Sequence, residues 1–246
     1  METVNSSAHP GPVLLPLSGP ARVARLVGRR ARFLMDLEDG AGERFTAHTN
    51  NTGTMLGLLR PGAQVLATRR DTPGRKLPWS VEAVRPGAFW VGVDTSVPTR
   101  ALRAAWAAGL LPETAGYETF KAEPRFEGGR LDALLEGPAG PLWVETKNVT
   151  LVEDCQAQFP DAPSERARKH LTELSRLARK GERAALFFCV QRPDARCFGP
   201  AWAVDEAYGR EFHQALEAGV EAWAYVLDVG EDGYRLGGRL AVGGAP

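Results

Sequence analysis

Between residues 13 and 86, apolar positions recur in short alternating runs broken by turn residues, the period-two pattern of half-buried strands. The pattern predicts strands over Arg22–Arg30, Arg32–Leu37, Arg44–Thr49, Ala63–Arg70 and Ser80–Val84. Between the third and fourth, Thr54–Leu59 has room for about one helical turn, introduced by Asn50-Asn51-Thr52-Gly53 and closed by Pro61-Gly62. The order β-β-β-α-β-β is that of an OB barrel, a small Greek-key barrel that commonly binds nucleic acid.

From residue 87 onward the rhythm changes. Leu102–Leu111 reads as a short Ala-rich helix, followed by strand-like runs at Thr119–Phe126, Arg130–Leu135 and Leu142–Val149. Ser164–Lys180 is the clearest helix: Ser164 suits the N-cap, Glu165 the positive helix end, and Gly181 the stop. Ala167, Leu171, Leu174 and Ala178 form its apolar stripe. Ala184–Val190 is a continuous apolar run of strand length, expected to be covered on both faces. Asp205–Ala218 predicts another helix, and Ala222–Val229 with Tyr234–Val242 a closing strand pair.

Composition narrows the class. With 246 residues, 43% apolar and 24% charged, the chain has globular proportions that exclude disorder and collagen-like repeats. Cys155, Cys189 and Cys197 form no C-x-x-C pair, which fits a reducing cytoplasm better than a disulfide framework or structural zinc. No apolar run approaches the roughly 20 residues of a membrane helix. Residues 1–12 read as a loose polar tail and not as a signal peptide, so a cytoplasmic protein without membrane attachment is expected. Charge is unevenly spread: residues 1–90 hold 12 Lys/Arg against 7 Asp/Glu, and residues 91–246 hold 18 against 23. A basic first half suits a polyanion, and an acidic second half suits a cation if its carboxylates converge.

The chemistry concentrates around Gly137-Pro138-Ala139-Gly140, a turn between two strand-like runs. Centring it between Pro138 and Ala139 sets Asp132 opposite Glu145, Leu134 opposite Trp143, and Ala133 opposite Val144 on the other face. This register sorts charged from apolar side chains, which a one-residue slip would undo. Two carboxylates facing across a ladder lie about 5 Å apart at Cβ. At an effective dielectric near 20 they repel by roughly 3 kcal/mol. Either one is protonated or a positive group lies between them. Lys147 points the same way as Glu145 and offsets part of the repulsion, and a divalent cation does so better. Oxygen ligands select Mg²⁺ or Mn²⁺.

An Asp on one strand and Glu-x-Lys on the next is the pattern of PD-(D/E)xK nucleases. There the carboxylates hold the metal and the lysine positions an attacking water. Asp132, Glu145 and Lys147 are the catalytic candidates, with Glu123 a candidate third metal ligand. The alternative is a surface salt bridge among Asp132, Glu145, Arg130 and Lys147. Arg166 and His170, at i and i+4 on the following helix, are placed to reach a phosphate over the site. In the first half, Arg69, Arg70, Arg75 and Lys76 with Trp79 suggest a strand-binding loop, its charges on phosphates and its ring on a base. A solvated hairpin loop is the alternative.

The chain also resembles the sugar fermentation stimulation protein A family. The resemblance rests on His48-Thr49-Asn50-Asn51-Thr52-Gly53-Thr54-Met55, Asp71-Thr72-Pro73-Gly74-Arg75-Lys76-Leu77, Val91-Gly92-Val93-Asp94-Thr95 and Arg130-Leu131-Asp132. Val144-Glu145-Thr146-Lys147-Asn148-Val149-Thr150-Leu151, Phe159-Pro160-Asp161-Ala162 and Arg166-Ala167-Arg168-Lys169-His170-Leu171 complete it. Asp94, Thr146 and Trp79 depart from the usual Asn, Val and Tyr. The resemblance implies a prokaryotic DNA-binding protein with a regulatory link to sugar metabolism. The expected fold is a two-domain α+β or α/β chain: an OB-like nucleic-acid-binding domain over 13–86, then a PD-(D/E)xK nuclease-like mixed sheet with flanking helices over 87–246. The expected function is a Mg²⁺- or Mn²⁺-dependent nuclease acting on DNA or RNA. The alternative is a non-catalytic DNA-binding regulator of sugar metabolism genes on the same scaffold.

Overall fold

The structure, a computed structural model, describes residues 11–71, 73–126 and 129–243. Most of the expected N-terminal tail, and Thr72 of the basic segment, lie outside the described residues. Two compact units emerge: Met1–Ser96 with 191–193 and 226–237, and Val97–Val190 with 194–225 and 238–246.

The first unit is an OB barrel. After β1 (Leu15–Pro16), its strands are β2 (Ala21–Arg30), β3 (Leu34–Asp39), β4 (Arg44–His48), β5 (Gln64–Arg69), β6 (Trp79–Arg85) and β7 (Val91–Gly92). They pair in the order β4-β3-β2-β5-β6-β7, and a parallel contact of β4 with β6, Ala47 to Trp79 and His48 to Ser80, closes the barrel. Alternation drives the closure: Met35, Leu37, Ala47, Val65, Ala67 and Val81 turn inward and are buried. The expected helical turn over Thr54–Leu59 is a single turn in which Leu58 N–H donates to Met55 O at 3.0 Å. It sends Met55 and Leu58 into the barrel core.

Among the described residues the second unit is a mixed sheet with three α-helices and a short 3₁₀ turn at Pro112–Thr114. Its elements are α1 (Val97–Ala107), β8 (Thr119–Ala122), β9 (Arg125–Phe126), β10 (Gly129–Arg130), β11 (Ala133–Gly137), β12 (Gly140–Val149), β13 (Leu151–Glu153), β14 (Gln156–Phe159), α2 (Glu165–Arg179), β15 (Arg183–Val190), β16 (Cys197–Pro200), α3 (Glu206–Glu217), and parts of β17 (Glu221–Gly230) and β18 (Gly233–Val242), whose residues 226–237 fall in the first unit. The sheet runs β13-β14-β16-β18-β17-β15-β12-β11-β8. β12 and β15 pair in parallel at its centre, and Ala184 to Val190 is buried throughout, as a strand covered on both faces requires.

Caps set the helices. Ser164 Oγ accepts from Ala167 N–H at 3.2 Å, and Asp205 Oδ1 accepts from Tyr208 N–H at 3.0 Å. Two expectations need correction. α1 begins at Val97, five residues before the expected Leu102, because Pro98 is tolerated in a first helical turn. The expected strand Thr119–Phe126 breaks at Glu123, whose φ of 50° leaves the extended region ahead of Pro124. No helix among the described residues is long and apolar enough to cross a membrane.

Candidate active site

Gly137 pairs with Gly140 across a two-residue turn, and Gly140 supplies the φ of 91° that the turn requires. The turn fixes Ala133 to Val144, Leu134 to Trp143 and Leu135 to Leu142, the register expected from the sequence. The ladder ends there. Leu131 N–H donates to Pro124 O at 3.3 Å and Asp132 O accepts from Glu123 N–H at 3.0 Å, so the chain peels away from β12 just at Asp132.

That departure frees the backbone N–H of Thr146, and the carboxylate of Asp132 takes it. Asp132 Oδ2 accepts from Thr146 N–H at 2.8 Å and from Thr146 Oγ1 at 2.7 Å. Thr146 Oγ1 also lies 3.0 Å from Thr99 Oγ1 of α1. Since Thr146 gives its own proton to Asp132, Thr99 is the donor in that contact.

Alternation turns Glu145 and Lys147 to the opposite face, toward α2. Both are buried, at 3% and 8% exposure. Glu145 Oε1 accepts from Lys147 Nζ at 2.7 Å and touches His170 Nδ1, while Lys147 Nζ lies 3.0 Å from that nitrogen. Nδ1 either donates to Glu145 or accepts from Lys147, so one proton position is contested among three groups. Glu145 Oε2 is buried without a hydrogen-bond partner among the described residues.

The two acids are tuned oppositely. Burial pushes the Asp132 carboxyl above the usual carboxylate range and the nearby Glu145 charge adds to it, against the Thr146 hydrogen bonds and Lys147. Burial also pushes Glu145 upward, but Lys147 and His170 outweigh it and hold that carboxyl below its ordinary value. The expected repulsion between the acids is therefore only partly offset by the protein's own groups, Thr146 serving one acid and Lys147 with His170 the other.

The structure separates the remaining candidates. Glu123 is not brought to the acids: its left-handed backbone turns the side chain outward, where it is exposed and pairs with Arg130 at 3.0 Å. Among the described residues no three His, Cys, Asp or Glu side chains are grouped to hold a metal ion. His170 joins the site, whereas Arg166 is exposed one turn earlier on α2. In the first unit, Arg69 is exposed beside Asp71. Arg70 is committed inward, its guanidinium 3.1 Å from the fully buried Glu82 and 3.3 Å from Asp94. Trp79 is no open stacking platform. Its ring packs 5.2 Å from that of Phe45 and lies under the Arg22 guanidinium at 4.9 Å.

Sequence reasoning missed Thr99 and Thr146 as anchors of Asp132. The register set Thr146 opposite Leu131, so its N–H was the nearest donor once Asp132 left the ladder. It also missed a cavity of about 410 Å³ in the first unit, where His48, Asn50 and Asp94 join Arg75 and Lys76.

Comparison with known proteins follows the same division. Residues 27–93 match the SfsA N-terminal OB domain, and residues 96–233 the sugar fermentation stimulation protein RE domain. A sugar fermentation stimulation protein homolog of Syntrophobacter fumaroxidans is 51% identical over 233 residues, covering 95% of this chain and 89% of its own. One from Maridesulfovibrio salexigens is 52% identical over 202 residues, covering 81% and 84%. The solved structure of Pyrococcus furiosus SfsA in complex with Ca²⁺ superposes with a TM-score of 0.86 at 30% identity, covering 94% of this chain and 99% of that one.

Proposed function

The chain belongs to the sugar fermentation stimulation protein family, and from that premise we propose that it binds nucleic acid and hydrolyses phosphodiesters with Mg²⁺ or Mn²⁺. The observation that carries this reading is the state of Glu145: a buried carboxylate with one oxygen unpartnered, close enough to Asp132 for its charge to raise that carboxyl. A buried carboxylate oxygen without a partner is costly. The residues present fit an oxygen-liganded cation, which would relieve Glu145 Oε2 and the charge on Asp132 together. Mg²⁺ needs only one or two carboxylates from a protein and keeps water for its other positions, so a third side-chain ligand is dispensable. The Ca²⁺ held by the Pyrococcus furiosus relative belongs to the same ligand class.

When bound, such a cation polarises a phosphodiester and acidifies a coordinated water. The chain's own residues do the rest. Thr146 fixes the direction of the Asp132 carboxylate, and Thr99 fixes Thr146. Lys147, ion-paired to Glu145, orients a nucleophilic water and faces the charge that develops on phosphate oxygens. His170, at hydrogen-bond distance from Lys147, offers Nδ1 as a place to hold or release a proton beside Glu145.

Incubating the purified chain with single- and double-stranded DNA and RNA, in Mg²⁺, Mn²⁺ or EDTA, tests the reading. Metal-dependent products that fall at least 100-fold in Asp132→Asn and Lys147→Gln are expected. No products, or variants that cut as well as the parent chain, would leave a DNA-binding protein on an inactive scaffold.

A further inference from the structure

The cavity in the first unit lies apart from the carboxylate site in sequence and in chemistry, and it carries surplus positive charge. Arg70 is matched by Glu82 and Asp94. Arg75 and Lys76 are not matched: among the described residues Arg75 donates only to neutral acceptors, Leu77 O and Ser80 Oγ, and Lys76 has no carboxylate partner. A half-buried guanidinium without a counter-charge is uncommon, and a site built around it favours an anion. Arg70, Arg75 and Lys76 against Glu82 and Asp94 leave about one net positive charge, with Arg75 and Lys76 free of ion pairs to meet a phosphate.

The rest of the lining is not a bare anion hole. Leu77 and Val81 give it an apolar wall, and His48 adds a ring. Burial, then the Arg75 charge, holds His48 below its ordinary pKa, so at neutral pH it offers a neutral face and a hydrogen-bonding edge. At about 410 Å³ the space lies at the small end of ligand pockets, enough for one small organic group and too little for a duplex.

We infer that this cavity binds a single nucleotide bearing a terminal phosphate, with the phosphate on Arg75 and Lys76 and the base against Leu77, Val81 and His48. The inference shares with the proposed function only the choice of nucleic-acid chemistry and is independent of catalysis. The ligand is either a free nucleoside monophosphate or the phosphorylated end of a strand.

Calorimetric titration of the full chain in EDTA, where cleavage is silent, tests it with AMP, dTMP, adenosine, ribose 5-phosphate and inorganic phosphate. AMP or dTMP should bind at least tenfold tighter than adenosine and than the two base-free phosphates, and Arg75→Ala or the exposed Lys76→Ala should each weaken binding at least fivefold. An upward shift of the His48 pKa on nucleotide binding, read by NMR, places the anion beside Arg75 even where Arg75→Ala folds poorly. Short single strands with 5′-phosphate, 3′-phosphate or no phosphate identify the source: tighter binding of one phosphorylated end than of AMP marks a strand end, and weaker binding marks the free nucleotide. Equal binding of AMP and adenosine, equal binding of ribose 5-phosphate and AMP, or indifference to both substitutions overturns the inference. Metal-dependent cleavage of circular single strands, which have no ends, would meanwhile leave the proposed function standing.

Discussion

Asp132 Oδ2 accepts two hydrogen bonds from Thr146, at 2.8 Å from its backbone N–H and 2.7 Å from its hydroxyl. Thr146 thereby holds an acid that has left its strand ladder, on the residue between Glu145 and Lys147. The arrangement converts a local failure of strand pairing into a fixed carboxylate. It also divides labour on β12: Thr146 contacts Thr99 and anchors Asp132, while its neighbours Glu145 and Lys147 turn the other way and are buried with His170.

Asp132→Asn is expected to stabilise the protein at neutral pH. The amide oxygen keeps both bonds from Thr146 and removes a partly buried charge. The folded pKa of Asp132 is raised, so its ionised form costs stability above that raised value, and the cost vanishes as pH falls to the ordinary carboxylate range. Urea unfolding should show the variant more stable by on the order of 1 kcal/mol at pH 7 and no more stable than the parent near pH 3. An equal advantage at both pH values would refute the burial argument.

Lys147→Ala should cost roughly 3–5 kcal/mol, the usual penalty for stranding one member of a buried ion pair. His170 still reaches Glu145 and places the expectation at the lower end. Glu145 has a depressed folded pKa, so its contribution is present above the unfolded value and lost as pH falls through the folded one. Lys147→Ala should therefore flatten the acid limb of the stability profile. Lys147→Met with Glu145→Leu, an apolar pair of similar volume, should recover most of the loss.

Much of this site was legible in the sequence. The Gly-Pro-Ala-Gly turn and the sorting of Leu131, Ala133 and Leu135 from the charges fixed the hairpin register, and Ser164 and Gly181 marked the ends of α2. The short edge strands were not legible. β13 and β14 turn through Asp154 and Cys155 at φ of 47° and 64°, a conformation usually announced by Asn-Gly. The break at Glu123 was hidden for the same reason, since a left-handed Glu carries no sequence mark. The fates of Arg70 and Trp79 depended on partners far along the chain, Asp94 and Tyr234 around Glu82 and Phe45 beside the ring, which spacing alone does not reveal.

Thr146→Val isolates the hydroxyl from the backbone bond. The variant retains the N–H that Asp132 uses, loses the second bond, and leaves the Thr99 hydroxyl without its acceptor. A cost of about 1 kcal/mol is expected. The Asp132 titration, followed by carboxyl NMR, should move further upward, because one of the two bonds favouring its ionised form is gone. Thr99→Val should give a smaller shift in the same direction. No movement in either variant would show that the backbone N–H alone holds Asp132.

Arg70 and Lys76 were alike in the sequence, as cations of one basic segment, and the structure gives them different surroundings. Arg70 neutralises Glu82, which is fully buried and also bonded by Thr68 and Tyr234. Arg70→Met should therefore lower stability by about 3 kcal/mol, the low end for breaking a buried pair. Lys76 is exposed and unmatched, so Lys76→Ala should leave the unfolding midpoint in place and act on binding. A lysine that contacts phosphate releases about one counterion, so its loss should reduce the slope of log affinity against log salt by roughly 0.7 on a single strand. Fluorescence anisotropy across a salt series, paired with urea unfolding of both variants, reads the two effects separately. A salt slope unchanged by Lys76→Ala, or an Arg70→Met variant of parental stability, would reverse the assignment.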